Sequence, residues 1–303
     1  MNYIIDHANF VSDNGITIRS FFIDNNKIVY YGRSLEKYKA LQMNVSSYFM
    51  TPGYVFCDFQ LSSISSLQQF KDRLKHLIKK GCTTIIIPWR IHYESEFQKK
   101  IKQARHAMIN STLDYVIGVH LSVEKLTPTI VRLCKRNKVP FIVVDIPQSA
   151  NIYSIPWGWL REAQYQYQIP IYPLWVGTDD KIVKEQRDLW EKSASLNRIP
   201  TYIHFPKSET PLSKVILKQI GLYPRKGELL IGNDLDYNLF IYGEEHEKVE
   251  DCNKLDYDKS NPIITVHKGR LLRVQDEMNY FPGFGVELII DIPGLFGTIE
   301  IIS

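Results

Sequence analysis

Met50-Thr51-Pro52-Gly53-Tyr54-Val55-Phe56-Cys57-Asp58-Phe59-Gln60-Leu61 (MTPGYVFCDFQL) marks the point where the rhythm of the chain changes. Before it, Asn2 to Ile5, Ile16 to Ile23 and Lys27 to Tyr31 are rich in β-branched and aromatic residues, and Asp24-Asn25-Asn26 supplies turn chemistry between the last two, which predicts a small antiparallel sheet. After it, apolar runs of strand length recur at Tyr54–Phe59, Thr83–Pro88, Tyr115–His120, Pro140–Ile146, Pro170–Val176 and Pro200–Phe205. They lie about thirty residues apart with helical patterns between them. Such alternation predicts βα units and a parallel sheet. TTIIIP and FIVVDI are almost continuously apolar, so both faces of the sheet should be buried, as in a barrel or a doubly wound sheet.

Helices are expected from Ser66 to Gly81 and around Glu94–Asn110, Pro128–Asn137, Trp157–Gln166, Asp179–Leu196 and Pro211–Ile220. In the first, Leu67, Phe70, Leu74, Leu77 and Ile78 form one apolar stripe, Ser66 with Gln69 fits a capping box, and Gly81 stands where a left-handed cap belongs. Thr127-Pro128 reads as an N-cap followed by proline in the first turn. Past Gly221 the chain is β-rich again at Leu229–Ile231, Asn238–Tyr242, Ile263–His267, Arg270–Val274 and Val286–Ile290, and the two β-rich ends are expected to join. The implied divisions are 1–51, 52–221 and 222–303.

A hydrophobic content of 44% and a charged content of 23% are ordinary for a folded chain. The 37 Lys and Arg against 33 Asp and Glu leave a formal +4, too little over this length to imply a nucleic-acid partner. The basic stretch Lys71 to Arg105 interleaves with apolar residues at helical spacing, so it reads as solvated helix faces. Cys57, Cys82, Cys134 and Cys252 form no CxxC pair and are expected as buried thiols. With no signal-peptide pattern at MNYIIDHANF and no apolar run of spanning length, the expectation is a cytoplasmic protein without membrane contact.

Four segments resemble the amidohydrolase superfamily, in its dihydroorotase and hydantoinase branch. Ile23-Asp24-Asn25-Asn26-Lys27-Ile28-Val29-Tyr30-Tyr31-Gly32 is similar to that family's hairpin, Thr51-Pro52-Gly53-Tyr54-Val55 to its TPGFID, and Lys80-Gly81-Cys82-Thr83-Thr84-Ile85-Ile86 to its GGVTTVV. Gly221-Leu222-Tyr223-Pro224-Arg225-Lys226-Gly227, followed by Ile231-Gly232-Asn233-Asp234-Leu235-Asp236-Tyr237, resembles its GLYPRKG and IGADADLVL, and His267-Lys268-Gly269-Arg270 stands at a similar turn. The resemblance implies an α/β fold: a TIM-type (β/α) barrel, here incomplete because six strand candidates fit where eight are needed, with a β-sandwich formed by the N- and C-terminal segments.

The resemblance also implies metal-dependent hydrolysis of C–N bonds, with a first-strand HxH as metal ligands and a metal-bound water as nucleophile. Those two positions align with Asp58 and Gln60, and glutamine offers only a neutral carbonyl oxygen. His204 is either a later-strand ligand or a rim histidine. His120 and Asp145, near strand ends, are either pocket residues or structural ones. Tyr153, Trp157, Trp159, Tyr165, Tyr167, Tyr172 and Trp175 either line a pocket for a flat ligand or pack the shortened barrel. No GxGxxG, P-loop, GxSxG or HExxH pattern occurs.

Two readings follow. In the first, hydrolysis is lost, no cofactor is held, and the chain is a scaffold for a small molecule or protein partner. In the second, an atypical site of Asp58, His120, Asp145 and His204 holds one zinc, manganese or iron ion. An open barrel edge would also allow a homo-oligomer.

Overall fold

The computed structural model describes all residues except 1, 13–14, 207–208, 242–260, 295–298 and 303. Contacts divide the chain into two units: Met1–Phe56 with Gln68–Thr84 and Pro224–Phe281, and Cys57–Leu67 with Ile85–Tyr223 and Pro282–Ser303.

The first unit is built on strands β1 (Asn2–Ser12), β2 (Gly15–Asp24), β3 (Lys27–Gly32), β4 (Leu41–Asn44), β5 (Tyr48–Pro52), β11 (Tyr237–Ile241), β12 (Ile264–His267), β13 (Arg270–Val274) and β14 (Glu277–Met278). They form one sheet in the order β14-β13-β12-β11-β5-β1-β2-β3, with β4 beside β1. The antiparallel pairing of β5 with β11, from Tyr48↔Ile241 to Pro52↔Tyr237, joins the N-terminal strands to those of residues 237–278. One face buries Ile5, Phe10, Phe21, Ile23, Ile28, Met50, Leu239 and Val266, apolar area that removes water at roughly 25 cal/mol per Å². Helix α1 (Leu67–Lys79) belongs to this unit and buries the expected Phe70, Leu74, Leu77 and Ile78. It leads to Gly81 at φ +86°, where an added Cβ would meet the Asn238 amide at 2.7 Å, so the position needs glycine on two counts.

The GLYPRKG and NDLD segments have a concrete structural use. Lys226 is buried, and its Nζ lies 2.6 Å from Asp236 Oδ2 and 3.4 Å from Asp234 Oδ2, while Asp236 Oδ1 lies 2.9 Å from the buried His267 Nδ1. Asp234 thus belongs to the sheet module, as its sequence position implies. Leu229–Ile231, by contrast, is not a strand, and the only regular pairing there is an isolated Lys27↔Asp234 bridge.

The parallel sheet comprises β6 (Tyr54–Cys57), β7 (Cys82–Arg90), β8 (Asp114–Ser122), β9 (Ile142–Pro147) and β10 (Ile171–Val176). In the second unit, α2 (Phe97–Ala107), α3 (Pro128–Arg136), α4 (Trp157–Ala163) and α5 (Asp180–Leu196) follow β7 to β10 in turn, and α6 (Lys214–Ile220) comes last. Thr127 caps α3 as expected, its Oγ1 accepting the Ile130 N–H at 3.3 Å with Pro128 in the first turn. In α2 the buried stripe is Phe97, Ile101 and Ala104, and the lysines lie off it.

Two further expected assignments change. Pro200–Phe205 is not a sixth strand. Prolines at both ends remove ladder donors, and the polar groups nearby are met irregularly: Ile171 N–H donates to Pro200 O at 2.9 Å and Trp175 Nε1 to Ile203 O at 2.8 Å. Val286–Ile290 does not join the terminal sheet. As β15 (Glu287–Ile290) it pairs parallel with β8 at Tyr115 and antiparallel with β16 (Ile299–Ile302). Glu287 is fastened there by both carboxylate oxygens, each 3.0 Å from Arg105 Nε on α2. Residues 282–303 therefore group with the parallel sheet, not with the segment 222–281. Cys57, Cys82 and Cys134 are buried free thiols; Cys252 lies outside the described residues.

Candidate functional site

Strand β7 closes on Arg90, β8 carries His120 two residues before its end, and β9 carries Asp145. In a parallel α/β sheet these are the strand ends where sites are built. The three side chains meet. Asp145 Oδ1 lies 2.8 Å from His120 Nε2, Arg90 Nη1 lies 2.9 Å from the same nitrogen, and Arg90 Nη1 also donates to Asp145 Oδ2. Side-chain exposures of 39%, 14% and 23% for Arg90, His120 and Asp145 place the cluster at the surface of the strand-end face, with the imidazole deepest. Burial alone would raise the Asp145 carboxyl, but hydrogen bonds from His120 and Arg90, together with their charges, outweigh it and hold the group below its ordinary value.

Strand register explains how the sequence delivers this cluster. Val119↔Ile142 and His120↔Val143 pair β8 with β9, and Tyr172↔Val143 and Leu174↔Asp145 pair β9 with β10. Paired residues in a parallel sheet share a face and alternate residues return to it, so His120, Val143, Asp145, Tyr172 and Leu174 point the same way. Beneath them, Phe141 lies across Gly118: a Cβ added at Gly118 would meet the Phe141 ring at 2.1 Å.

The aligned metal positions behave differently. Strand β6 ends at Cys57, so the alternation that would aim residues 58 and 60 together is already broken. Asp58 is buried, and its Oδ1 accepts the Leu61 N–H at 2.9 Å, an aspartate turn of the kind that competes with regular structure. Gln60 is exposed in the 3₁₀ turn Gln60–Ser62. Phe59, the residue between them, meets His120 edge-on with ring centroids 5.3 Å apart. His204 is exposed in the irregular segment between α5 and α6, edge-on to Tyr202 at 6.4 Å. Sequence reasoning thus brings His120 and Asp145 forward but omits Arg90, although a lone charge closing TTIIIPWR is the signal that marks it.

Among the described residues, no group of three or more His, Cys, Asp or Glu side chains is arranged to hold a metal ion. The donor set at the cluster does not suit a divalent cation either. Both Asp145 oxygens and His120 Nε2 are engaged, and a fixed guanidinium shares their space, so an added dication would meet repulsion on the order of several kcal/mol at an effective dielectric of about 20. Of the aromatic residues in the middle of the chain, Trp157, Tyr167 and Tyr172 are buried, Trp157 and Trp175 both meet Trp190 edge-on, and Tyr153, Trp159 and Tyr165 are exposed.

The architecture, a parallel strand-and-helix sheet and a separate sheet in which β1–β5 pair with β11–β14, is similar to the fold of solved hydantoinases and a dihydropyrimidinase. A solved D-hydantoinase superposes with a TM-score of 0.60 at 14% identity, covering 98% of this chain and 100% of that one. The D-hydantoinase of Bacillus sp. AR9 gives 0.67 at 9% identity over 96% and 99%. The dihydropyrimidinase of Brevibacillus agri NCHU1002 gives 0.59 at 12% over 94% and 98%. No protein-family model matches the chain. No curated protein matches it either. The likeness is one of fold, and the parallel sheet corresponds to part of a TIM-type barrel. No helix is long and apolar enough to cross a membrane, among the described residues.

Proposed function

We propose that this chain is an amidohydrolase-fold protein that has lost metal-dependent hydrolysis and serves as a binding scaffold at its strand-end face. One observation carries the reading: Arg90 sets its guanidinium against both His120 and Asp145, the two strand-end residues with ligand chemistry, which also meet each other. A metal-activated water needs an open coordination position and free donors. Here a permanent cation already satisfies the carboxylate, and arginine does not give up its proton to make way. The aligned Asp58 and Gln60 support the same reading, the first through its bond to the Leu61 amide and the second through its exposure.

The test is ring opening of hydantoin and of a dihydropyrimidine, the compound types in the names of the structural neighbours, with the protein supplied with excess zinc or manganese. The expected result is no turnover above the metal-only background. Turnover that disappears in Asp145→Ala would overturn the proposal and restore the active hydrolase.

A further inference from the structure

We propose that the strand-end face binds a small organic carboxylate through the unoccupied edge of Arg90. Only Nη1 of this guanidinium is engaged. Among the described residues Nε and Nη2 carry no hydrogen bond, while the side chain is 39% exposed. An arginine anchored at one nitrogen and open along its Nε–Nη2 edge is a preorganised fork for a planar, two-oxygen anion.

A second observation concerns the same side of the sheet, two residues below the level of Asp145. Tyr172 stands level with Val143 and His120 across three neighbouring strands, so its side chain lies on the side that carries Asp145. Its ring is fully buried and stacks on Phe205 at 4.5 Å, yet its hydroxyl has no hydrogen-bond partner among the described residues. A hydroxyl buried without a partner costs about 1–3 kcal/mol, so such a group is kept where something meets it. The surroundings select the ligand. Asp145 contributes a carboxylate to the cluster, which disfavours a dianion such as phosphate, whereas a single carboxylate faces one guanidinium. Phe59, edge-on to His120, offers apolar surface to the body that carries it.

The inference rests on the metal-free reading above, and its failure is separable from failure of that reading. Benzoate is titrated into the full chain by calorimetry, with benzamide and inorganic phosphate as comparison ligands. The expected dissociation constant for benzoate is on the order of 1 mM or tighter, with benzamide and phosphate at least about tenfold weaker. Arg90→Lys keeps the charge and loses the fork, and should weaken benzoate about tenfold while melting like wild type. Tyr172→Phe should weaken benzoate severalfold without lowering the melting temperature. Benzoate no tighter than benzamide, phosphate tighter than benzoate, or Arg90→Lys binding as wild type would each overturn the proposal. Should Arg90→Lys fail to melt cooperatively, the comparison of benzoate with benzamide in wild type still decides it. In all these cases absence of hydantoin turnover would leave the loss of hydrolysis standing.

Discussion

Gly118→Ala tests how the face beneath the cluster is built. Gly118 lies on β8 one alternation before His120, and the ring of Phe141, the residue just before β9, crosses over it. A Cβ there would stand 2.1, 2.2 and 2.6 Å from three ring carbons of a fully buried phenylalanine. Carbon contacts are comfortable near 3.5 Å, so the ring must withdraw by about 1.4 Å in a region with no slack. Overpacking of this size costs roughly 1–3 kcal/mol, offset by about 0.4–1 kcal/mol because alanine restricts the unfolded chain. The expected net loss is about 1.3 kcal/mol. It should be read as a lower urea midpoint with an unchanged slope, and as a fall in melting temperature of roughly 2–4 °C. Gly118→Ala with Phe141→Leu should recover most of the loss, because the second change removes the ring atoms that the methyl meets. A single variant within about 0.5 kcal/mol of wild type would refute the packing described for this face.

Lys226→Met should cost about 3–5 kcal/mol by urea unfolding, because it removes the buried cation that meets the Asp236 carboxylate at 2.6 Å. Asp145, held low, contributes stability that is present above the ordinary carboxylate value and lost as pH falls through its folded value. Wild type should therefore outrun Asp145→Asn as pH rises through that acid window. Glu287 behaves in the opposite sense: burial raises it, more than Arg105 lowers it, so its contribution is complete below the ordinary glutamate value and is lost as pH rises through the raised one. Glu287→Gln should consequently gain on wild type with rising pH in denaturation series over that window. Thr127→Ala should cost about 1 kcal/mol through loss of the α3 cap.

Local signals carried much of the fold into the sequence. The β1–β3 meander, the α1 stripe ending at Gly81, and the Thr127-Pro128 start of α3 each depend on residues within a few positions of one another, so pattern and propensity suffice. What escaped depends on long-range pairing. The run that becomes β15 looks like any short strand, and its place beside β8 is set by Tyr115 and by Arg105, 182 residues before Glu287. Pro200–Phe205 has strand composition, but its prolines deny the donors that a ladder needs. At the site, His120 and Asp145 were legible as strand-end residues. Asp58 and Gln60 were aligned by carrying strand alternation past Cys57, whereas β6 ends there and Asp58 accepts the Leu61 N–H in a turn. Arg90 was visible as a charge ending an apolar run, but its meaning emerged only with the two neighbours that hold it.

Metal stoichiometry tests the central claim most directly. The full chain, purified without chelators and equilibrated with zinc or manganese before desalting, should retain less than about a tenth of an equivalent by mass spectrometry of the digested protein, as expected when no open donor set exists. One tightly held equivalent, lost in both Asp145→Ala and His120→Ala, would contradict the account, since it would mean that Arg90 gives up its contacts with those side chains to a metal ion.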